Sequence, residues 1–451
     1  MMTRKLSLVS SPSWSQSRVI PFAFTELAAY ALTKGVDTAI IDVKRSPYKR
    51  LSANDKANVL SEIISKVIKT NPSYIGLSCF TSNYQECCDL ASRIKDKIKA
   101  VIIVGGIHPT ICYQDFFYKN SPFDFAVIGE GEDALCEIVQ AQELGTDYCD
   151  IKGIAFRRDD RLVRTEIRPC FKDLSHLPSP AYEMVDMDFY LQPQRGIIRS
   201  LVTSGLHILT GRGCPFSCTF CANKAIFESQ GLSPLVRHRS VEAIINNLKH
   251  LKTDYGLESF YIADDTFTLP ASRAKDFCQM YKASGLTMPW AAETRVNLID
   301  ESMVLALKTA GCVQLDFGVE SGSQEALDRM RKGTTVSDIR KAFLLSKRYK
   351  LRTFANIMFN TPKETEKDVT LTINLMKELK ADHYGIALTV PLPGSQLFDE
   401  YLGDRRLSKE DYWLFSAPGL FQRIIDPRLR LAAHSLDLDR LYLKINLRFF
   451  F

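Results

Sequence analysis

The chain alternates short apolar runs with segments whose apolar residues recur at helical spacing, and it does so in two separate stretches. The first stretch predicts five strands: Leu6–Ser10, Asp37–Val43, Tyr74–Ser78, Ala100–Val104 and Ala126–Ile128. It also predicts four helices: Pro21–Lys34, Asn54–Thr70, Asn83–Lys97 and Asp133–Ala141. Because the strands are apolar throughout, we expect a parallel sheet that is buried on both faces. The pattern predicts an α/β fold that begins with a doubly wound, Rossmann-like domain.

The second stretch repeats the alternation over six βα units. Its predicted strands are His207–Thr210, Ser259–Ala263, Trp290–Val296, Gln314–Val319, Thr353–Phe359 and Tyr384–Val390. Its predicted helices are Ser240–Asp254, Ser272–Ser284, Glu301–Ala310, Gln324–Met330, Ser337–Tyr349 and Glu364–Leu379. Six such units predict a partial, TIM-like (β/α)6 barrel, and the site of such a barrel lies on the loops that follow its strands.

These patterns divide the chain into a Rossmann-like domain (1–145), a connector (146–200), a barrel (201–400) and a C-terminal tail (401–451). The connector contains a predicted hairpin around Asp159 and Asp160, followed by a stretch that prolines stiffen. The tail is rich in Leu and Arg. We favour a terminal helix packed on the barrel over a surface-active amphipathic helix.

Composition excludes several classes of protein. Apolar residues make up 45% and charged residues 24% of the 451 residues, as is typical of globular proteins, and no apolar stretch is long enough to predict a membrane span. The net charge of +6 is small for this length, so we expect no nucleic-acid partner. Twelve cysteines without a secretory signal indicate free thiols in a reducing cytoplasm.

Cys214, Cys218 and Cys221 carry the strongest chemical signal, in the order C-x3-C-x2-C. Gly213 and Pro215 keep this segment in a loop that follows the first barrel strand. Three thiolates leave one iron of a [4Fe–4S] cluster without a protein ligand, and an open coordination position indicates chemistry rather than structure.

A zinc loop is the main alternative for these cysteines. Zinc sites usually combine a C-x2-C pair with a second Cys or His pair further along the chain. The next cysteines, Cys278 and Cys312, are single and distant, and His207 and His238 lack ligand spacing. The spacing therefore favours the cluster.

Three loops at the carboxyl ends of the first-domain strands predict a ligand site. They are Ser78–Ser82, Gly105–Thr110 and Gly129–Glu132. Glycine allows a large ligand to approach the backbone closely, and doubly wound domains bind ligands at this edge. The alternative is that each loop is simply a tight turn.

These features together resemble the cobalamin-binding (B12-binding) radical S-adenosylmethionine (SAM) enzymes, over roughly residues 6–400. The cluster motif of that family is matched without a gap, and Phe220 stands where an aromatic residue packs against adenine. The resemblance implies that SAM chelates the open iron. One electron from the cluster then breaks a carbon–sulfur bond, and the resulting 5′-deoxyadenosyl radical takes hydrogen from an unactivated carbon.

The resemblance also assigns SAM contacts to residues at the barrel strand ends. The segment Asp264–Phe267 follows the second strand, where polar contacts to the SAM amino group are expected, with Asp264 as the favoured residue. Arg295 would pair with the SAM carboxylate. Glu320 and Ser321, in the segment Gly318–Ser323, resemble the ribose-contacting stretch. Helix capping or a surface ion pair is the alternative for Asp264 and Glu320.

One segment departs from the family pattern. Asn360–Thr365 reads Asn-Thr-Pro-Lys-Glu-Thr where relatives usually have Gly-Leu-Pro-Gly-Glu-Thr. Both glycines are missing, whereas the Pro, Glu and Thr remain. We expect the loop to persist with altered adenine contacts.

For cobalamin, the resemblance implies contacts from the three loops of the first domain, namely Ser78, Gly105, Gly106, His108, Glu130 and Gly131. The Asp-x-His-x-x-Gly signature of proteins that place a histidine on cobalt is absent. We therefore expect cobalamin with its own base displaced and no histidine ligand. His108 is a possible lower ligand, but a hydrogen bond to a neighbouring residue is the favoured alternative.

The leading functional hypothesis is a cobalamin-dependent radical methyltransferase that uses SAM twice, once as methyl donor and once as radical source. It would act on a small-molecule or peptide substrate and take electrons from a reductase or flavodoxin-type donor. A radical cyclase or rearrangement enzyme shares the same motifs. A methylthiotransferase needs a second cluster, but Cys79, Cys112 and Cys136 are dispersed. A cobalamin-binding sensor or carrier would not need the three thiols.

Overall fold

The computed structural model describes residues 5–10, 18–43, 53–231, 236–401, 411 and 429–449. Within these residues the strands of the first domain are β1 (Lys5–Val9), β2 (Asp37–Ile41), β3 (Tyr74–Ser78), β4 (Val101–Gly105), β5 (Phe125–Val127), β6 (Ile154–Arg158) and β7 (Arg161–Arg164). The helices are α1 (Phe22–Thr33), α2 (Ala53–Thr70), α3 (Tyr84–Lys95), α4 (Ile107–Cys112) and α5 (Glu132–Leu144). A short helix, α6 (Met187–Tyr190), lies in the connector.

The first sheet has the strand order β2-β1-β3-β4-β5-β6-β7, in which β1 to β5 are parallel. Alternate side chains face opposite layers: Ile75 and Leu77 pack in the cluster that contains α2 and α3, whereas Leu6 and Leu8 pack with α1 and α5. This two-sided burial explains the unbroken apolar runs. The chain reverses its winding between β1 and β3, and such a switch point opens a ligand crevice at the carboxyl ends of the strands.

The connector hairpin forms as predicted, but it is not separate from the first sheet. β6 pairs antiparallel with β5, and β7 pairs antiparallel with β6. The sheet therefore extends past residue 145, because Ala155 and Phe156 pack into the two apolar layers of this domain. The domain boundaries themselves stay a prediction.

The barrel begins with β8 (Gly205–Ile208) and continues through β9 (Gly211–Arg212), β10 (Arg237–His238), β11 (Ser259–Ile262), β12 (Trp290–Thr294), β13 (Cys312–Glu320), β14 (Arg352–Phe359) and β15 (His383–Leu388). Its helices are α7 (Asn223–Glu228), α8 (Val241–Tyr255), α9 (Ala271–Ala283), α10 (Glu301–Thr309), α11 (Gln324–Arg329), α12 (Val336–Arg348), α13 (Glu366–Leu379) and α14 (Gln396–Tyr401). Among the described residues, six parallel strands form a half-barrel in the order β15-β14-β13-β12-β11-β8. The strands predicted in both domains lie within two residues of the observed bounds.

The outer face of the half-barrel carries the main apolar core. Trp290 is fully buried, its ring lies parallel to Phe260 at a centroid distance of 5.9 Å, and its indole N–H donates to the Ala310 carbonyl at 2.8 Å. The inner face carries polar groups by contrast, since the Tyr261 hydroxyl lies within hydrogen-bond distance of the carboxyl groups of Glu293 (2.9 Å) and Asp316 (3.0 Å). Beside a small apolar cluster of Tyr261, Ala291, Ile197 and Ile198, the inner side of the strands therefore holds polar groups, and we call this region the polar lumen.

The C-terminal helix, α15 (Leu438–Phe449), packs against β15, and Ile445 is buried in the barrel core. This agrees with the favoured prediction for the tail. The rest of the predicted tail, residues 402–410, 412–428 and 450–451, lies outside the described residues. Across the described part of the chain, no helix is both long enough and apolar enough to cross a bilayer.

Candidate active site between the two domains

The three cysteines lie together in the loop that follows β9, at the mouth of the half-barrel. Each is half-buried, and the turn that carries them is closed by a hydrogen bond from the Cys221 N–H to the Cys218 carbonyl (3.1 Å). Burial raises the pKa of Cys214, and it raises that of Cys221 to about 11. Without a metal these thiols therefore keep their protons at neutral pH, and metal binding would have to displace them.

The spacing of the sulfur atoms fits a cluster better than a single zinc ion. In the described ranges, only His108, Cys112 and Asp115 bring three metal-binding atoms within 4.8 Å of one another. The three sulfurs of the cysteine loop do not all lie within 4.8 Å of one another, whereas the ligands of one tetrahedral zinc stand about 3.8 Å apart when Zn–S bonds are about 2.3 Å. A loop of this width is compatible with three corners of an iron–sulfur cube.

The barrel fixes the base of this loop through Asp264. Its carboxylate accepts hydrogen bonds from the Thr210 N–H (2.7 Å), the Gly211 N–H (3.1 Å) and the Thr210 hydroxyl. Arg273 adds a bond to the Thr210 carbonyl at 2.9 Å. Burial raises the pKa of Asp264, and the Thr210 bonds act in the opposite direction. The carboxylate oxygens of Asp264 are therefore already hydrogen-bonded within the protein. The predicted contact of Asp264 with the SAM amino group stays a prediction.

Asp265 belongs to the same predicted segment, Asp264–Phe267, and it is better placed beside the cysteines than Asp264, which was the residue singled out. It is exposed, it accepts a hydrogen bond from the Asn223 side chain at 3.0 Å, and its charge acts on both Cys214 and Cys221. The two consecutive aspartates were visible in the sequence. Only the strand geometry distinguishes the one that turns inward from the one that faces the cysteines.

Arg295 lies directly against the cysteine loop. Its guanidinium stacks over the Phe216 ring at 3.6 Å and approaches the Cys218 sulfur at 3.7 Å. It also donates to the Lys332 carbonyl. Arg295 is only 4% exposed, and its guanidinium packs against the cysteine loop. The predicted pairing of Arg295 with the SAM carboxylate stays a prediction.

The predicted ribose-contacting residues are buried below this layer. Glu320 accepts a hydrogen bond from the Lys332 ammonium at 2.6 Å and has a left-handed backbone with φ 62°. Ser321 exchanges a hydrogen bond with the Thr372 hydroxyl at 3.0 Å. Lys332 in turn lies 6.0 Å from the centroid of the half-buried Phe220 ring. The ion pair considered for Glu320 is present, but it is buried rather than at the surface.

The loop that lacks the family glycines keeps a glycine-like backbone. Asn360 has φ 60° and Lys363 has φ 52°, both in the left-handed region. These are the two positions at which relatives have glycine. The loop persists, as expected, because asparagine tolerates this conformation and Lys363 is exposed.

At the other domain, the carboxyl edge of the sheet is lined by small residues and two exposed apolar ones. Ser78, Gly105 and Gly106 are half-buried, whereas Phe80 is 48% and Ile107 is 41% exposed. Gly106 has φ 109°, and a Cβ there would stand 2.8 Å from the Cys79 carbonyl oxygen. A small-residue edge flanked by exposed apolar side chains fits a large, partly apolar ring system.

His108 is turned into the domain rather than toward this edge. It is fully buried, its Nδ1 hydrogen-bonds with the Thr81 hydroxyl at 2.9 Å, and its Nε2 lies 3.3 Å from the Asp115 carboxylate. The ring packs between Tyr84 and Phe116. This placement corresponds to the favoured alternative, a histidine bonded to neighbouring residues.

Glu130 and Gly131 were predicted to contact cobalamin, but the carboxylate of Glu130 faces the barrel. It accepts bonds from Arg212 and Arg237 at 2.9 Å each and from the Phe171 N–H at 3.2 Å. Burial opposes ionisation of Glu130, but the two arginines outweigh it and lower the pKa. The half-buried Gly131 precedes α5. These contacts bring the first-domain loop and the cysteine loop into one site.

The two domains also touch beside the cysteines. α4, which follows the glycine loop of the first domain, packs against α7, which follows the cysteine loop. Gln230 lies over Gly129, where a Cβ would stand 2.7 Å from the Gln230 side chain. The edge suited to a ring system and the loop suited to a cluster are therefore adjacent. The fold and site are those of an α/β protein with two adjacent candidate cofactor sites.

Comparison with known proteins identifies the family. Residues 15–139 match the B12 binding domain, and residues 208–376 match the Radical SAM superfamily. An uncharacterized methyltransferase of Pyrococcus horikoshii is 30% identical over 370 residues, which cover 82% of this chain and 76% of that protein. The chain therefore belongs to the B12-binding radical SAM enzymes. Its cofactors are a [4Fe–4S] cluster, SAM and cobalamin.

Two further similarities bear on fold and chemistry. An anaerobic magnesium-protoporphyrin IX monomethyl ester cyclase of Synechocystis is 26% identical, with 80% of this chain and 68% of that protein covered. The structure of the radical SAM methyltransferase TsrM from Kitasatospora setae, with cobalamin and a [4Fe–4S] cluster, has a TM-score of 0.72 and 19% identity. It covers 89% of this chain and 78% of that one, and it shows the same fold.

Proposed function

We propose that this enzyme methylates an unactivated carbon, with cobalamin as the carrier of the methyl group. The observation that carries the proposal is the contact between the glycine-loop edge of the first domain and the cysteine loop, through α4 and α7. A methyl carrier and a radical source must act on one carbon atom, so their sites have to open into one space. The similarity to a protein named as a methyltransferase points the same way.

The chain's own residues would have distinct tasks in this reaction. Cys214, Cys218 and Cys221 would hold the cluster, which would supply the site for SAM when it is bound. Asp265 is exposed beside these cysteines and is suited to pair with the SAM amino group. SAM cleavage at the reduced cluster supplies the radical.

The polar lumen of the half-barrel is our candidate substrate site. The side chain of Glu293 opens into this lumen, and burial raises its pKa to about 7, with the Tyr261 hydrogen bond opposing the shift. Asp316 is held by Arg199 at 2.8 Å. These groups can orient a small-molecule or peptide substrate by hydrogen bonds while the surrounding strands exclude water.

The test is an anaerobic assay with the holoenzyme, SAM labelled in its methyl group, and a cell extract as the source of substrate. The proposal predicts a labelled product whose formation requires hydroxocobalamin and is abolished in Cys218→Ala. 5′-Deoxyadenosine without any labelled product, over a range of extracts, would contradict methyl transfer. With dithionite as the chemical reductant in this assay, an electron donor of the reductase or flavodoxin type should be able to take its place, in keeping with a cytoplasmic enzyme.

A radical cyclase is the second candidate, since similarity to three cyclases of one kind extends over most of the chain. The same assay separates the two functions. Ring formation would consume SAM and substrate without incorporation of label, and the product would differ from the substrate by loss of hydrogen rather than by gain of a methyl group.

A further inference from the structure

A buried ion cluster joins the cysteine loop to the first domain. Arg212, two residues before Cys214, is enclosed by three carboxylates of the other domain. Its guanidinium lies 2.5 Å from Glu26, 2.9 Å from Glu130 and 2.7 Å from Glu132. The exposed fractions of these side chains are 22% for the arginine and at most 13% for the acids. A salt bridge so enclosed differs from an ordinary surface pair.

Two more arginines of the barrel complete the cluster. Arg237 binds both oxygens of Glu130 at 2.9 Å, and Arg239 binds Glu26 at 3.1 Å. Arg239 also donates to the Leu177 carbonyl at 3.0 Å. Three arginines thus face three glutamates, and the charges balance. Buried ion pairs contribute little net stability because their desolvation offsets their attraction. Buried ion pairs are better suited to fixing the position of one part of a protein relative to another.

Hydrogen bonds continue from this cluster to the predicted cobalamin loops. Glu130 directly follows Gly129, whose N–H donates to the Thr110 hydroxyl at 3.0 Å. The Thr110 hydroxyl in turn donates to the Gly106 carbonyl at 2.8 Å. Hydrogen bonds and one peptide link therefore connect the glycine loop at the end of β4 with Glu130, which binds Arg212.

We propose that Arg212 is a positioning residue that couples the two cofactor sites: cobalamin on the glycine loops and SAM at the cysteine loop each strengthen binding of the other. The two states are a cysteine loop fixed by the three glutamates and one released from them. Cobalamin that contacts the loops of Gly106, Thr110 and Gly129 would favour the fixed state, which is the arrangement that the structure shows. By linkage, the same factor must appear in the affinity for cobalamin.

The experiment measures SAM affinity in anaerobically reconstituted full-length enzyme, with and without hydroxocobalamin. For the wild type we expect cobalamin to tighten SAM binding by about 5-fold or more. In Arg212→Gln this ratio should fall to about 1, and in Arg212→Lys it should be intermediate, because lysine cannot form the forked bonds. The matched control is Arg340→Gln, which removes an exposed ion pair with Glu378 and should keep the wild-type ratio.

A second variant keeps the test valid if Arg212→Gln fails to fold. Glu132→Gln is isosteric and leaves Arg212 with two of its partners, so the ratio should decrease without being lost. The EPR spectrum of the reduced cluster provides an independent signal: cobalamin should shift it in the wild type but not in Arg212→Gln. A wild-type ratio of 1, or a ratio unchanged in both variants with full iron content, would overturn the proposal.

Discussion

Asn360→Ala tests how the tail is attached to the barrel. Asn360 is fully buried and makes four side-chain hydrogen bonds. Its Nδ2 donates to the carbonyls of Thr389 (2.8 Å) and Leu429 (3.0 Å), and its Oδ1 accepts from the N–H groups of Leu431 (2.8 Å) and Ala432 (3.1 Å). Three of these bonds hold the tail. At a net value of about 1 kcal/mol each, their loss weakens attachment by about 3 kcal/mol.

Alanine also acts on the loop itself, because it would occupy the left-handed backbone of Asn360 at a cost of about 1–2 kcal/mol. Asn360→Gly separates the two effects, since glycine removes the side chain without that strain. Lys363→Gly is the matched control: it changes the other left-handed position, while the bond from its N–H to the Leu431 carbonyl (3.0 Å) remains.

Hydrogen exchange followed by mass spectrometry is the assay. A loss of about 3 kcal/mol corresponds to roughly 100-fold faster exchange through local opening at residues 429–434. The alanine and glycine variants should both show it, whereas Lys363→Gly should exchange like the wild type. Unchanged exchange in Asn360→Ala would refute the assignment of Asn360 as the anchor of the tail.

Three further predictions concern the barrel. Asp264→Asn replaces one carboxylate oxygen, which accepts hydrogen bonds at the base of the cysteine loop, with an NH2 donor. A chelator should therefore remove iron faster from this variant than from the wild type. Equal rates would contradict the role of Asp264 in holding the loop. Burial lowers the pKa of His207 from 6.5 to about 4, with Arg199 acting in the same direction. At His207 the unfolded chain therefore binds more protons between these values, and the contribution of this residue to stability should fall by about 2 kcal/mol from pH 8 to pH 5. In urea denaturation, the stability of His207→Gln should depend less on pH than that of the wild type. A pH dependence identical to that of the wild type would show that His207 does not contribute to it. Trp290→Ala should lower the free energy of unfolding by about 4 kcal/mol through the cavity it leaves, and a loss below 1 kcal/mol would contradict its central place in the core.

Much of the architecture was predictable because it depends on local periodicity. Continuous apolar runs indicated buried parallel strands, and their order along the chain indicated two βα arrays. The cysteine loop was predictable from spacing alone. Helix α4 was missed, because its start at Gly106 and the proline at position 109 are typical of a loop, although proline is tolerated in a first helical turn.

The surroundings of individual site residues were less predictable, because they depend on contacts distant in sequence. Glu130 stands at a strand end, which indicated a ligand contact, yet its partners Arg212 and Arg237 come from the other domain. Nothing in the local pattern separates Asp264, which turns to the backbone of the cysteine loop, from the exposed Asp265. Side-chain direction at a strand end is set by tertiary packing, which the sequence pattern does not record.

We infer that Cys214, Cys218 and Cys221 hold a [4Fe–4S] cluster with one iron open to SAM. The most direct measurement is the EPR spectrum of the dithionite-reduced, anaerobically reconstituted enzyme, recorded before and after addition of SAM. We predict a signal from one cluster per chain that changes on SAM binding and disappears in Cys214→Ala. A cluster signal that SAM leaves unchanged, or one that survives the loss of Cys214, would contradict the account.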